Sequence, residues 1–200
     1  YHEHLSYFTG NTIVRLFERH GMEVFDIEKT DTHGGSLRVF VRKSKTEEIE
    51  SSVFTFLLLE KEEGFDGSEI FDKLKNLYKT INDSAAAMQS LLSGLDMGNK
   101  KIFGYGAPAK FTTLSHVMGI HKGDIIAIAD DSPIKQGLFT PGTNIPIVTS
   151  DELLDANPDY VMIFAWNFAG PIMKKLTDAG YKGKFIIPVP EPIIIDGGDS

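Results

Sequence analysis

Gly104-Tyr105-Gly106-Ala107-Pro108-Ala109 fits the spacing G-x-G-x-x-G/A. It follows an apolar run and opens a helical pattern, the context in which glycines let a chain turn sharply and aim backbone N–H groups at a diphosphate. Lys110, just inside that helix, can add a full positive charge, and Pro108 suits the first turn because its missing N–H would have had no intrahelical acceptor. The acidic pair Asp130 and Asp131 ends the next strand, where a carboxylate can accept a ribose hydroxyl. Beside it runs the loop Asp131-Ser132-Pro133-Ile134-Lys135-Gln136-Gly137, whose Lys135 and Gln136 can touch the same ligand, and Trp166 and Asn167 close a later strand on that side. Together these residues favour a nucleotide-type ligand. Each also has a plain alternative: a tight strand-to-helix turn with no ligand, an ordinary Ser-Pro turn, a tryptophan packed in the core.

Tyr1-His2-Glu3-His4 is dense in groups able to move protons. An imidazole with an unperturbed pKa of about 6.5 suits a general base at neutral pH, and Glu3 can orient a partner. In an extended chain Tyr1 and Glu3 point one way and His2 and His4 the other, so Glu3 and His4 share a site only if the chain turns between them. His-x-His also suggests a metal, but no third ligand at a zinc spacing follows, and none is expected in this chain. His20, His116 and His121 read as helix-end residues and His33 as a turn residue.

The elements that must position these groups come in two styles. From residue 100 onward short apolar runs at 101–105, 125–129, 147–148, 160–165 and 185–189 alternate with helical patterns at 108–118, 151–154 and 171–179. Such alternation predicts a parallel sheet with helices on its faces and ligands at the carboxyl ends of the strands. Before it, residues 9–20 predict a helix capped by Thr9, with Phe8 and Ile13 at the two positions of a hydrophobic staple. Strands at 22–29 and 36–42 flank a turn-rich Asp31-Thr32-His33-Gly34-Gly35, which makes them an antiparallel hairpin. Residues 47–63 suit a helix better than a buried strand. Asp66 and Glu69 are spaced as a capping box, and Ile70, Leu74, Leu77, Ile81, Ala85, Met88, Leu92 and Leu95 continue as one long helix ending near Gly94 or Gly98, its apolar residues expected in the core.

Composition limits what the chain can be. Among 200 residues, 42% hydrophobic and 24% charged is a globular mixture, and no apolar run approaches the roughly 18 to 20 residues of a membrane helix. That shortness removes a membrane from the expected partners, and 20 Lys+Arg against 28 Asp+Glu, a net charge of -8, remove nucleic acid. The absence of cysteine excludes disulfides, thiolate zinc sites and a cysteine nucleophile, and it is compatible with a cytoplasmic protein. The chain starts at Tyr1 with no signal sequence before the first element, and a piece cut from a longer protein is the expectation.

Four spaced segments together carry a resemblance: Tyr1-His2-Glu3-His4-Leu5-Ser6-Tyr7-Phe8, His33-Gly34-Gly35-Ser36-Leu37-Arg38-Val39, Gly104-Tyr105-Gly106-Ala107-Pro108-Ala109-Lys110 and Pro188-Val189-Pro190-Glu191-Pro192. Along nearly its whole length the chain resembles the S-adenosylmethionine-dependent sugar C-methyltransferases, which act on nucleotide-linked keto-deoxysugars. The resemblance implies an α/β fold. Residues 1–43 would end a methyltransferase domain with a helix and hairpin, 44–99 would form a helical linker region, and 100–196 a Rossmann-like C-terminal domain. It also implies His4 as the base, with Tyr1 and Glu3 beside it, and a nucleotide-sugar substrate held by Gly104, Tyr105, Gly106, Ala107, Pro108, Lys110, Asp131, Lys135, Gln136 and Asn167. S-adenosylmethionine would be bound by the full-length protein, zinc only by an N-terminal segment absent here, and this piece alone would be inactive. Phe111 stands where a small residue, often Gly, is expected, which would reshape the nucleotide pocket. An NAD(P)-binding oxidoreductase domain and a non-catalytic nucleotide-binding module are the alternatives.

Overall fold

In the computed structural model, which describes residues 5–32, 35–43, 48–65 and 67–197, Thr9 is extended and its side-chain oxygen accepts the Thr12 N–H. That cap turns the chain into helix α1, Gly10–Arg19, as its sequence predicts. The Glu60 carboxylate accepts the Gly10 and Asn11 N–H groups at 2.7 and 3.2 Å, which satisfies two further donors of the first turn. A Cβ on Gly10 would collide with the Phe56 ring, so glycine is the residue this approach permits.

Strands β1, Glu23–Thr30, and β2, Ser36–Arg42, pair antiparallel, with a bulge at Phe25 whose carbonyl accepts the Glu50 N–H. The hairpin has the expected two faces: Val39 and Val41 pack with Val24, Ile27 and Val53, while Phe40 meets Phe25 at 6.1 Å between ring centroids. Val53 belongs to helix α2, Ser51–Glu62, so the 47–63 segment is helical as expected. Helix α3, Glu69–Met97, then runs for 29 residues and ends at the expected glycine. Its expected cap at Asp66 falls outside the described residues. The expectation that its whole apolar stripe is core needs correction. Ser84, Met88 and Leu92 are buried, whereas Phe71, Leu74, Leu77 and Tyr78 are 54 to 69% exposed. Only the later turns of α3 lie against the sheet-borne core described next.

Contacts divide the described chain into two compact units that meet in sequence between Lys79 and Thr80. The second unit is a six-stranded sheet in the order β5-β4-β3-β6-β7-β8. Strands β3, Ile102–Tyr105, β4, Ile128–Ala129, β5, Ile147–Val148, β6, Tyr160–Ile163, and β7, Lys184–Ile187, are parallel, and β8, Ile193–Asp196, returns antiparallel to β7. The α/β, Rossmann-like expectation holds. Strand β4 is shorter than the 125–129 run suggested, although Ile125 and Ala127 are buried beside it. Strand β8 was not expected.

Helices α4, Lys110–Met118, α5, Ser150–Ala156, and α6, Ala169–Asp178, complete the unit. One core layer sets Met88, Leu92, Phe111 and Met118 against Ile128 and Phe164; another sets Leu153, Leu176 and Tyr181 against Val161 and Phe185. The capping box expected at Thr149 and Glu152 is present.

Candidate functional site

Sheet order reverses between β3 and β6, so the crevice at their carboxyl ends is the place where an open α/β sheet takes a ligand. The glycine turn sits there, and each glycine has a mechanical reason. A Cβ on Gly104 would lie 2.7 Å from the Phe164 ring and 2.8 Å from Ile128 Cγ1, so this glycine lets β3 pass under its neighbours. Gly106 has φ +83°, and its Cβ would meet that of Ala165 at 3.0 Å. Phe111 does not reshape a pocket: it is 1% exposed and packs edge to face on Phe164, with centroids 4.6 Å apart.

Few donors of this turn face outward. The Gly106 N–H bonds Ala129 O, the Ala107 N–H bonds the Asp130 carboxylate at 2.7 Å, and Pro108 has none. Asp130 is buried and also accepts the Ser132 N–H at 2.9 Å and Lys135 Nζ at 3.1 Å. Lys135 bridges back to Ala107 O at 3.1 Å, and Gln136 Nε2 donates to Asp130 O. The structure thus brings Lys135 and Gln136 to the glycine turn, where both are engaged in holding it.

Asp131, the other half of the acidic pair, turns to the α5 and α6 face. Its carboxylate accepts from Tyr105 Oη at 2.9 Å, Ser150 Oγ at 3.1 Å and Lys175 Nζ at 2.5 Å, and Lys175 also donates to Tyr105 Oη at 2.7 Å. Burial alone would push the Asp131 carboxyl up, but the hydrogen bonds from Lys175, Tyr105 and Ser150 outweigh it and hold the group below its ordinary value. Burial likewise opposes the Lys175 charge, and the Asp131 and Tyr105 contacts reverse that and raise it. Sequence reasoning found Tyr105 and Asp131 and missed Lys175 and Ser150. A signal for Lys175 existed: it adjoins Leu176, a fully buried residue, on an α6 that packs on the sheet.

On the opposite face Lys110 Nζ stands 3.8 Å from the centroid of the Trp166 ring, a cation–π contact. Burial lowers the Lys110 pKa, and no carboxylate pairs with it among the described residues. Trp166 opens a short 3-10 turn, Trp166–Phe168, that follows β6, and it leans on the core, as one of its two readings expects, while also carrying the cation. Asn167 beside it is exposed. The site therefore offers one half-buried ammonium on an aromatic platform, at the mouth of the crevice.

Tyr1, Glu3 and His4, and His33 with them, lie outside the described residues. Among the described residues no cluster of three or more His, Asp or Glu could hold a metal ion, and no helix is long and apolar enough to cross a membrane.

Residues 31–190 match the family described as the C-methyltransferase C-terminal domain. A curated relative, the C-methyltransferase NovU of Streptomyces niveus, is 33% identical over 199 residues, which cover 98% of this chain and 46% of the relative. The chain thus spans about half the length of the curated relative it matches.

Proposed function

The chain belongs to the C-methyltransferase C-terminal domain family, and from that premise we propose that the whole protein moves a methyl group from S-adenosylmethionine to a carbon of a nucleotide-linked keto-deoxysugar. The part played by this chain is to hold the sugar nucleotide. The observation that carries this part is the Lys110 ammonium, seated on Trp166 at the sheet's switch point without a carboxylate partner among the described residues.

The methyl donor supplies a methyl group on a cationic sulfur, and the described residues do not fit it. A ribose diol asks for an uncommitted carboxylate at the end of the second strand, and both Asp130 and Asp131 are already bonded within the fold. Donor binding is assigned to other parts of the full protein. At the acceptor, His4 takes the proton from the carbon beside the ketone, a general-base role worth roughly 10² to 10⁴ in rate. In the same reading Tyr1 donates to the ketone oxygen as negative charge develops there, and Glu3 is the third member of the proposed group.

The same bonded aspartates, and the scarcity of outward N–H groups in the glycine turn, speak against an NAD(P)-binding oxidoreductase. The test uses the full-length protein. His4→Ala is expected to abolish methyl transfer to the keto sugar, and NADH is expected not to bind in a fluorescence titration. Unchanged turnover would favour a non-catalytic nucleotide-binding module, and tight NADH binding an oxidoreductase.

A further inference from the structure

The motif Pro188-Val189-Pro190-Glu191-Pro192 connects β7 to β8, and because Ile187 pairs with Ile193 across that connection, the motif caps the carboxyl edge of the sheet. Its course is pinned. Pro188 is buried, Val189 packs against the same core cluster as Ala107 and Trp166, and Ser84 of α3 donates to Pro190 O at 2.7 Å. Glu191, between two prolines, is exposed and has no hydrogen-bond or ion-pair partner among the described residues.

Strand β7 neighbours β6, and strands in a sheet lie about 4.8 Å apart. The Lys110 cation rests on Trp166, at the end of β6, so the Glu191 turn stands one strand away along the same edge. Among the described residues neither Lys110 nor Glu191 has an ion-pair partner, so the carboxyl edge of neighbouring strands carries a cation held on an aromatic ring and a carboxylate without a bonded partner. A sugar nucleotide needs that combination: positive charge for its phosphates and an acceptor for its hydroxyls. The carboxylates at which sequence reasoning placed the hydroxyl acceptor, Asp130 and Asp131, are consumed by the turn and by Lys175.

Resting on the reading proposed above, we infer that Glu191 is the carboxylate that accepts the sugar hydroxyls of the substrate, and that Lys110 takes its phosphate charge. The pair then sets specificity, Lys110 for any anionic carrier and Glu191 for the sugar it bears.

Calorimetric titration of the full-length protein with dTDP-glucose and with dTDP alone tests this. Glu191→Gln keeps the size of an exposed side chain and removes its charge. It is expected to weaken dTDP-glucose binding at least about tenfold while leaving dTDP affinity as it was, since hydrogen bonds to charged groups carry that order of free energy. Lys110→Gln is expected to weaken both ligands alike. A Glu191→Gln protein that keeps the original preference for dTDP-glucose over dTDP overturns the assignment, as does an unaltered protein that binds the two equally. Binding of neither by the unaltered protein would instead bring down the proposed function, and the assignment with it.

Discussion

Asp131 and Lys175 make a charged pair whose value is set by exposure. Their side chains are 61% and 48% exposed, so the 2.5 Å contact belongs with surface ion pairs worth at most about 1 kcal/mol, whatever its length suggests. The pH dependence follows from the directions of the two shifts. Asp131 is held below its ordinary 3.8, so its contribution is present above that value and fades as pH falls through the folded-state pKa. Lys175 is raised above 10.5, so its contribution is complete below that value and fades as pH rises through the folded-state pKa. Urea denaturation of wild type and Asp131→Asn should therefore show a gap of about 0.5 to 1 kcal/mol between roughly pH 5 and 9, closing in acid. A gap that widened below pH 3.8 would contradict the network. At this scale the acidic pair was legible as a pair and illegible in its parts. Two adjacent side chains leaving a strand end must point to opposite faces, and which partners wait on each face depends on residues 44 positions away at Lys175 and five away at Lys135.

At the scale of elements, the sequence pattern carried most of the sheet, because each parallel strand is buried on both faces and reads as an apolar run. Strand β8 escaped because the prolines before it look like a terminus, while Ile193, Ile194 and Ile195 pair only by returning antiparallel to β7. Helix α3 shows the reverse failure. Its stripe is regular from Ile70 to Leu95, yet period alone cannot say how far along a helix a neighbouring layer extends, and burial begins only at Ser84. The glycine turn reads in the sequence as a ligand site, and the structure gives its glycines a packing reason. Gly104→Ala is expected to cost about 1 to 3 kcal/mol, since a methyl group must displace the Phe164 ring and Ile128 inside a filled core. Thermal denaturation measures it, and an unchanged midpoint would mean that the ring yields freely.

For the whole molecule, family and fold coincide: a Rossmann-like sheet is a general platform, and its function lies in which groups the platform leaves uncommitted. Tyr1-His2-Glu3-His4 lies outside the described residues, and its proposed part in proton transfer is tested in the full-length protein. Strand β8 ends the sheet, and its outer side meets no further strand among the described residues. The Lys184–Asp196 pair puts charge at one end of this rim, but Ile193 and Ile194 are 51% and 42% exposed at the other. An open rim with bare isoleucines invites a second chain to zip onto it, so concentrated solutions of this chain should scatter light progressively, and Ile194→Lys should keep them clear.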